Sequence, residues 1–353
     1  MTSLRRPGPA LAAAFLALVA GEAALPRLLY TPLDPGKRYG RNPHLRRDWD
    51  NYIRVTNAPH DPEIRVLLLS NSQGNGPEYP DRAIYPWLLQ DALNEGRSGP
   101  PVRVVNWSFG PNRVPEAVVL LARAQDLKPH LVLAAFHPTW FQKPDYEVQG
   151  KATPLSMFPG DVADTAWLYK DRLPEAFAAH YIKPVTAVSA AFARYWPTYR
   201  YRDLPISWLQ VKLPWFQPFV PEGEWAAWFL AARARRSRLQ AQPVARPFEH
   251  TPHPELIGMF TDAASRVGAR PVFVFQPHYY KLLQESDVPV TVTRSLEAKG
   301  FEVWDMSHVV PWQEFLEGQN IHLADDGHRT FARALAERLR PLVDAIGTPA
   351  PRP

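Results

Sequence analysis

Five short apolar, β-rich runs recur along this chain with amphipathic helical patterns between them, and that alternation constrains the fold more than any other feature. The runs are Ile64 to Leu69, Val102 to Trp107, His130 to Phe136, Arg270 to Phe275 and Phe301 to Met306. Helical patterns fall near Arg82 to Asn94, Pro115 to Leu127, Glu255 to Val267 and Val290 to Lys299, and a closing helix runs from about Asp325 to Ile346. Near-continuous apolar strands separated by amphipathic helices predict a parallel sheet covered on both faces, an α/β architecture.

One interval breaks the alternation. From about Trp140 to His250 the chain is too long for a strand-to-helix connection and is crowded with Trp, Tyr, Phe and Pro. It reads as a mostly helical, aromatic-rich insertion at about 140–250, with helical segments at Asp164 to Ala179 and Glu222 to Leu239. Its aromatic residues suit satellite packing against the main domain, with a lid, a membrane-facing surface or a saccharide platform as the other readings. The resulting division is residues 1–30 as a leader, 31–62 as a Pro- and Arg-rich connector, 63–346 as the α/β domain, and 347–353 as a disordered tail.

In the leader, Arg5 and Arg6 precede an apolar stretch from Pro9 to Ala20, and a second apolar stretch reaches Leu29 only by passing Glu22 and Arg27. This is the pattern of a secretory signal, either cleaved or retained as an anchor, with an ordinary cytosolic helix as the alternative. Arginines before the apolar run hold that end in the cytoplasm, so the remainder is expected outside it, in a periplasm or at a cell surface.

Composition narrows the chemistry. The 353 residues are 46% hydrophobic and 12% aromatic, enough for a packed core, and there are no cysteines, which excludes thiol catalysis, disulfides and thiolate metal sites. A net charge of +5 is mild, and its densest cluster, Arg233, Arg235, Arg236 and Arg238, joins no recognisable nucleic-acid-binding module. No nucleic-acid partner is expected. A solvated helix face explains the arginines, with anionic lipid or an acidic polymer as the other reading.

The residues that follow the strands carry the functional signal. Ser70-Asn71-Ser72-Gln73 follows the first run, Asn106-Trp107-Ser108-Phe109-Gly110 the second, His137-Pro138-Thr139 the third and Gln276-Pro277-His278 the fourth, while His322 precedes the closing helix. In a parallel sheet these positions gather at one edge, where α/β enzymes keep their chemistry. Each has a plainer reading: Asn71 and Ser72 as turn and cap residues, Gly110 as a turn glycine, His322 as a loop histidine, Asp325 and Asp326 as the first turn of a helix. His137, His278 and His322 share the edge and three imidazoles could hold zinc, but no His-x-x-x-His or acidic pairing accompanies them, so neither metal nor cofactor is expected.

Taken together, these blocks resemble the SGNH, or GDSL-like, hydrolase superfamily over roughly Ile64 to Thr139 and Pro254 to Leu342. The resemblance implies a flavodoxin-like three-layer sandwich around a parallel sheet of about five strands. It implies Ser72 as nucleophile, His322 as base, and an oxyanion hole built from the N–H groups of Ser72 and Gly110. The family's Gly-Asp-Ser is here Ser70-Asn71-Ser72. Its Gly-x-Asn-Asp is replaced by Phe136-His137-Pro138-Thr139, which leaves His137 or Thr139 to stand in for the missing asparagine donor.

The family's Asp-x-x-His becomes Gln319-Asn320-Ile321-His322, so the histidine is kept and the acid is a glutamine. Glutamine can orient an imidazole but supplies no charge to the imidazolium. Either His322 works in a dyad oriented by Gln319 or a backbone carbonyl, or another carboxylate serves. Asp305 is placed best for that, followed by Glu317 and Asp325.

The reading is an exported or membrane-tethered serine esterase or O-acyltransferase acting on an acylated saccharide or another ester, with the membrane and a protein of an envelope assembly as further partners. Its rival is a non-catalytic protein of the same fold that holds a glycan or serves as a scaffold.

Overall fold

The computed structural model describes residues 13, 15–21, 63–76, 81–108, 114–141, 169–181, 188, 253–278, 287–316 and 321–347. Five parallel strands form the sheet: β1 (Ile64–Leu69), β2 (Val102–Asn106), β3 (Leu131–Phe136), β4 (Arg270–Phe275) and β5 (Glu302–Asp305), in the order β2-β1-β3-β4-β5. This is the flavodoxin-like order of a three-layer α/β sandwich. It has its topological switch point between β1 and β3, the place where open α/β sheets bind their ligands.

The helices are α1 (Ser72–Asn75), α2 (Tyr85–Asn94), α3 (Val114–Ala124), α4 (Glu175–Tyr181), α5 (Pro254–Ser265), α6 (Val288–Glu297) and α7 (Asp325–Gly347). Strand residues alternate between two cores, as a two-residue period demands. Leu67, Leu69, Val132, Ala134, Phe136, Phe273 and Phe275 pack with α3, α5 and α6, whereas Val66, Leu68, Leu133, Ala135, Val272 and Val274 pack with α2 and α7. Phe136 meets Phe141, Phe260 and Phe273 edge-on at 5.2 to 5.9 Å between centroids, a geometry aromatic quadrupoles favour.

Element ends differ from the sequence reading by a few residues. The second helix begins at Tyr85 because a separate 3-10 turn takes Asp81–Ala83 and Pro86 occupies its first turn, where a missing N–H costs nothing. In the insertion, the described part of the helical pattern at Asp164 to Ala179 holds a 3-10 turn at Lys170–Arg172 and α4, while residues 164–168 and Glu222 to Leu239 lie outside the described residues.

That short described part of the insertion explains an oddity of α3, which is buried along its whole length, Glu116 and Arg123 included. Phe177 and Leu173 join the core beside it, Tyr169 lies under the Arg123 guanidinium at 5.8 Å, and Arg172 pairs with Asp126 at 2.6 Å. A helix covered by the sheet on one side and by added chain on the other becomes interior.

Near the N-terminus, residues 15–21 are helical and exposed, with Phe15 at 65% and Leu16 at 66% of their free surface. Among the described residues no helix is long and apolar enough to cross a membrane.

Candidate active site

β1 ends in Leu69, and the chain turns at once into the single-turn helix α1. Asn71 is its N-cap, with Oδ1 accepting the Gln73 N–H at 2.9 Å. This is the cap role open to an asparagine after a strand. Gly76 closes the turn at φ +42°, its N–H donating to the Ser72 carbonyl at 2.7 Å, a left-handed conformation that glycine takes without strain. Ser72 is thereby held at the first helical position, above the carboxyl end of β1.

His322 arrives from the opposite end of the domain. Its segment pairs antiparallel with the chain leaving a 3-10 turn at Trp312–Glu314: Leu316 N–H donates to the His322 carbonyl at 2.9 Å, Ala324 N–H to the Glu314 carbonyl at 2.7 Å, and Phe315 bridges Leu323. The result is a separation of 3.1 Å between Ser72 Oγ and His322 Nε2, across 250 residues of sequence. That is hydrogen-bonding distance for a hydroxyl and an imidazole.

Two residues before Ser72 begins a buried polar cluster, Ser70 and Gln276, that continues the even-numbered face of β1 and β4. The Tyr85 phenol donates to Ser70 Oγ at 3.0 Å, and the Gln276 amide donates to both Ser70 Oγ and the Tyr85 oxygen. Burial pushes the Tyr85 phenol up, an effect that its bonds to Ser70 and Gln276 partly offset. The backbone N–H of Tyr85 donates to His328 Nδ1, which leaves the His328 proton on Nε2.

At the ends of β3 and β4 two further imidazoles meet. The His137 and His278 rings sit 4.3 Å apart at a steep angle, and His278 Nδ1 lies 3.0 Å from the Gln276 carbonyl, so it is that nitrogen which carries the proton. Burial holds His137 well below its ordinary value near 6.5, and the neighbouring His278 pushes the same way. Burial also lowers His278, against its bond to Gln276 and the nearby Asp305 carboxylate. Both rings are therefore neutral near pH 7.

The sequence-derived candidates divide as follows. Ser72 and His322 are brought together. His137 stands at the end of β3, the neighbour of β1 across the switch point, and Thr139 lies in the 3-10 turn that follows. Asp305, the carboxylate placed best to orient His322 if the pair is not a dyad, accepts through Oδ1 from the Ser307 N–H at 3.0 Å and the Ser307 hydroxyl at 2.6 Å. A carboxylate at the end of an edge strand finds its donors two residues on, as an Asx turn. Asp325 occupies the first turn of α7 and lies 3.9 Å from Arg329. Gly110, Glu317 and Gln319 lie outside the described residues. Among the described residues no three potential metal ligands cluster.

Gln73 carries a role that no sequence pattern announced. Its carboxamide is buried and donates to the Pro277 carbonyl at 2.9 Å and to the Ile321 carbonyl at 2.6 Å. A polar side chain directly after Ser72 was the only available hint.

Fold and geometry together define a doubly wound α/β protein with a serine–histidine pair at the carboxyl ends of its strands. The sequence matches no protein-family model and no curated protein. Among solved structures the chain is similar to TesA (12% identity, TM-score 0.40) and to the native aryl esterase of M. smegmatis (11%, TM-score 0.36). It is also similar to Est24, a carbohydrate acetylesterase from Sinorhizobium meliloti (11%, TM-score 0.36). Each match covers 79% of this chain and 99% of the other.

Proposed function

We propose that this chain is an SGNH-like serine esterase or O-acyltransferase in which Ser72 is the nucleophile and His322 the base. The observation that carries the reading is the 3.1 Å contact between Ser72 Oγ and His322 Nε2. With Nδ1 protonated, His322 Nε2 takes the Ser72 proton as Oγ adds to an ester carbonyl, and the charge develops on the former carbonyl oxygen. The N–H groups of Ser72 and Gly110 are the proposed donors to that oxygen, with His137 or Thr139 in the place of the family's asparagine. Collapse breaks the ester C–O bond, His322 returns the proton to the departing alkoxide, and an acyl group remains on Ser72. Water as the next nucleophile makes an esterase, and a sugar hydroxyl makes a transferase. Gln319 or a backbone carbonyl orients the imidazole as a dyad, since Asp305 is bound to Ser307.

The substrate class we propose is an acylated saccharide or other ester of a cell envelope, reached after export. Arg5 and Arg6 ahead of an apolar stretch, together with the exposed apolar side chains Phe15, Leu16, Leu18 and Val19, support a signal or anchor. Fusing residues 1–35 to a reporter active only outside the cytoplasm tests this; a silent but well-expressed fusion rejects export.

A fluorophosphonate probe tests the catalytic reading. Wild type should label, and Ser72→Ala and His322→Gln should not. Labelling that survives Ser72→Ala assigns the reactive group elsewhere, and a wild type that refuses the probe favours the non-catalytic glycan-binding or scaffold protein.

A further inference from the structure

We infer that Gln73 is a positioning residue that sets the distance between nucleophile and base, a role that rests on the serine-hydrolase reading above. Three separate segments must agree for Ser72 and His322 to meet: α1, the chain leaving β4 and the loop before α7. The Gln73 carboxamide touches all three. It belongs to α1, and its nitrogen donates to Pro277 of the second segment at 2.9 Å and to Ile321 of the third at 2.6 Å.

Both partners are backbone carbonyls, which only accept, so the nitrogen must face them and both of its hydrogens are used. The oxygen Oε1 is then left buried without a hydrogen-bond partner among the described residues. A buried amide with an orphaned acceptor is a poorer packing element than an alkyl chain of the same length. Packing therefore does not account for glutamine at this position, whereas the two-pronged donation does.

The placement of the two prongs gives the inference its content. Ile321 immediately precedes His322, and the carbonyl of His322 itself is held from the other side by the Leu316 N–H at 2.9 Å. The backbone of the base is thus gripped at two successive carbonyls, one by the residue that follows the nucleophile. A drift of the His322 segment away from α1 stretches the Gln73–Ile321 bond along with the Ser72–His322 contact, so the bond resists it. Because a displacement of about 1 Å at a reacting pair costs on the order of 100-fold in rate, a tether at this point is expected to act on turnover.

The experiment uses the full chain, labelled with ¹⁵N-histidine, with His322→Gln assigning the His322 resonances. Gln73→Met keeps the length of the side chain and removes both donors. The expected result is that the His322 Nε2 resonance moves in Gln73→Met in the same direction as in Ser72→Ala. On an activated acetyl ester, kcat should fall about 10- to 100-fold with KM within about twofold.

Gln73→Asn, which keeps the amide on a shorter arm that reaches one carbonyl at most, should fall between the two, and it decides the matter if Gln73→Met does not fold. Wild-type His322 resonances in the folded variant overturn the inference, whether or not kcat has fallen. A wild type without any Ser72-dependent turnover rejects the hydrolase reading alone, since the imidazole spectra still report whether Gln73 sets the contact.

Discussion

Tyr85 and Ser70 share a hydrogen bond of 3.0 Å in the floor of the site, two residues before the serine that faces His322. Both are fully buried, and the Gln276 amide donates to each. This cluster ties α2, the end of β1 and the end of β4 into one unit below α1. Tyr85→Phe removes the phenol from a closed network, and should lower stability by about 1 to 2 kcal/mol in urea unfolding, as buried hydrogen bonds do. Ser70→Val, which leaves Tyr85 and Gln276 both without their shared acceptor, should cost more.

Gly74 marks the closest approach in α1. A Cβ built there would lie 2.5 Å from Ser108 Oγ and 2.7 Å from Ser70 Cβ, so neither neighbour leaves room for a methyl group. Gly74→Ala should therefore push α1 off the end of β1 and carry Ser72 away from His322. The expected result is a folded protein by circular dichroism whose fluorophosphonate labelling rate drops by about 100-fold. Unchanged labelling would mean that α1 can shift without disturbing the pair.

Acid should destabilise the fold through the two imidazoles at the ends of β3 and β4. His137 and His278 are held below 6.5 in the folded chain, mainly by burial, so below pH 6.5 the unfolded chain takes up protons that the folded chain refuses. The stability they contribute is present in full above 6.5 and is lost as pH falls towards their lowered values. Unfolding free energy measured by urea from pH 7.5 to 5 should fall with a slope of up to about 1.4 kcal/mol per pH unit for each group, and His137→Asn should flatten it. An equal slope in that variant would place the linkage elsewhere.

Asp305 should be dispensable for turnover. Its carboxylate is taken by the N–H and hydroxyl of Ser307, and the side chain is otherwise exposed. Asp305→Asn keeps one acceptor for that turn, so a Ser72-dependent rate should stay within about threefold and stability should change by about 0.5 kcal/mol. A fall of three or four orders of magnitude, the usual effect of losing a triad acid, would restore Asp305 as the group behind His322.

Much of this architecture was legible from local pattern. The five strands appear where apolar β-rich runs were read, and the helices between them, because a two-residue and a 3.6-residue repeat are properties of short windows. Boundaries moved where local chemistry intervened, as at Pro86 and the turn before it. Whether Asp305 or a dyad orients His322 stayed open in the sequence because the separation of Asp305 from His322 depends on how far β5 stands from the loop before α7, which no window contains. Gln73 was passed over for the same reason: an amide after a serine is unremarkable until Pro277 and Ile321 close over it.

By itself, then, the order of residues determined that the chain makes a parallel α/β sheet and that small polar and imidazole side chains gather at the ends of its strands. Both follow from periodicity, and from the rule that successive parallel strands all present the same end. Only the tertiary structure decided which of those side chains meet. The approach of Ser72 to His322, the His137–His278 contact and the double donation of Gln73 each depend on strand order, helix face and loop path together. Distances of about 3 Å between residues hundreds of positions apart are set by the packing of whole layers, which is a cooperative property of the folded chain and of no segment within it.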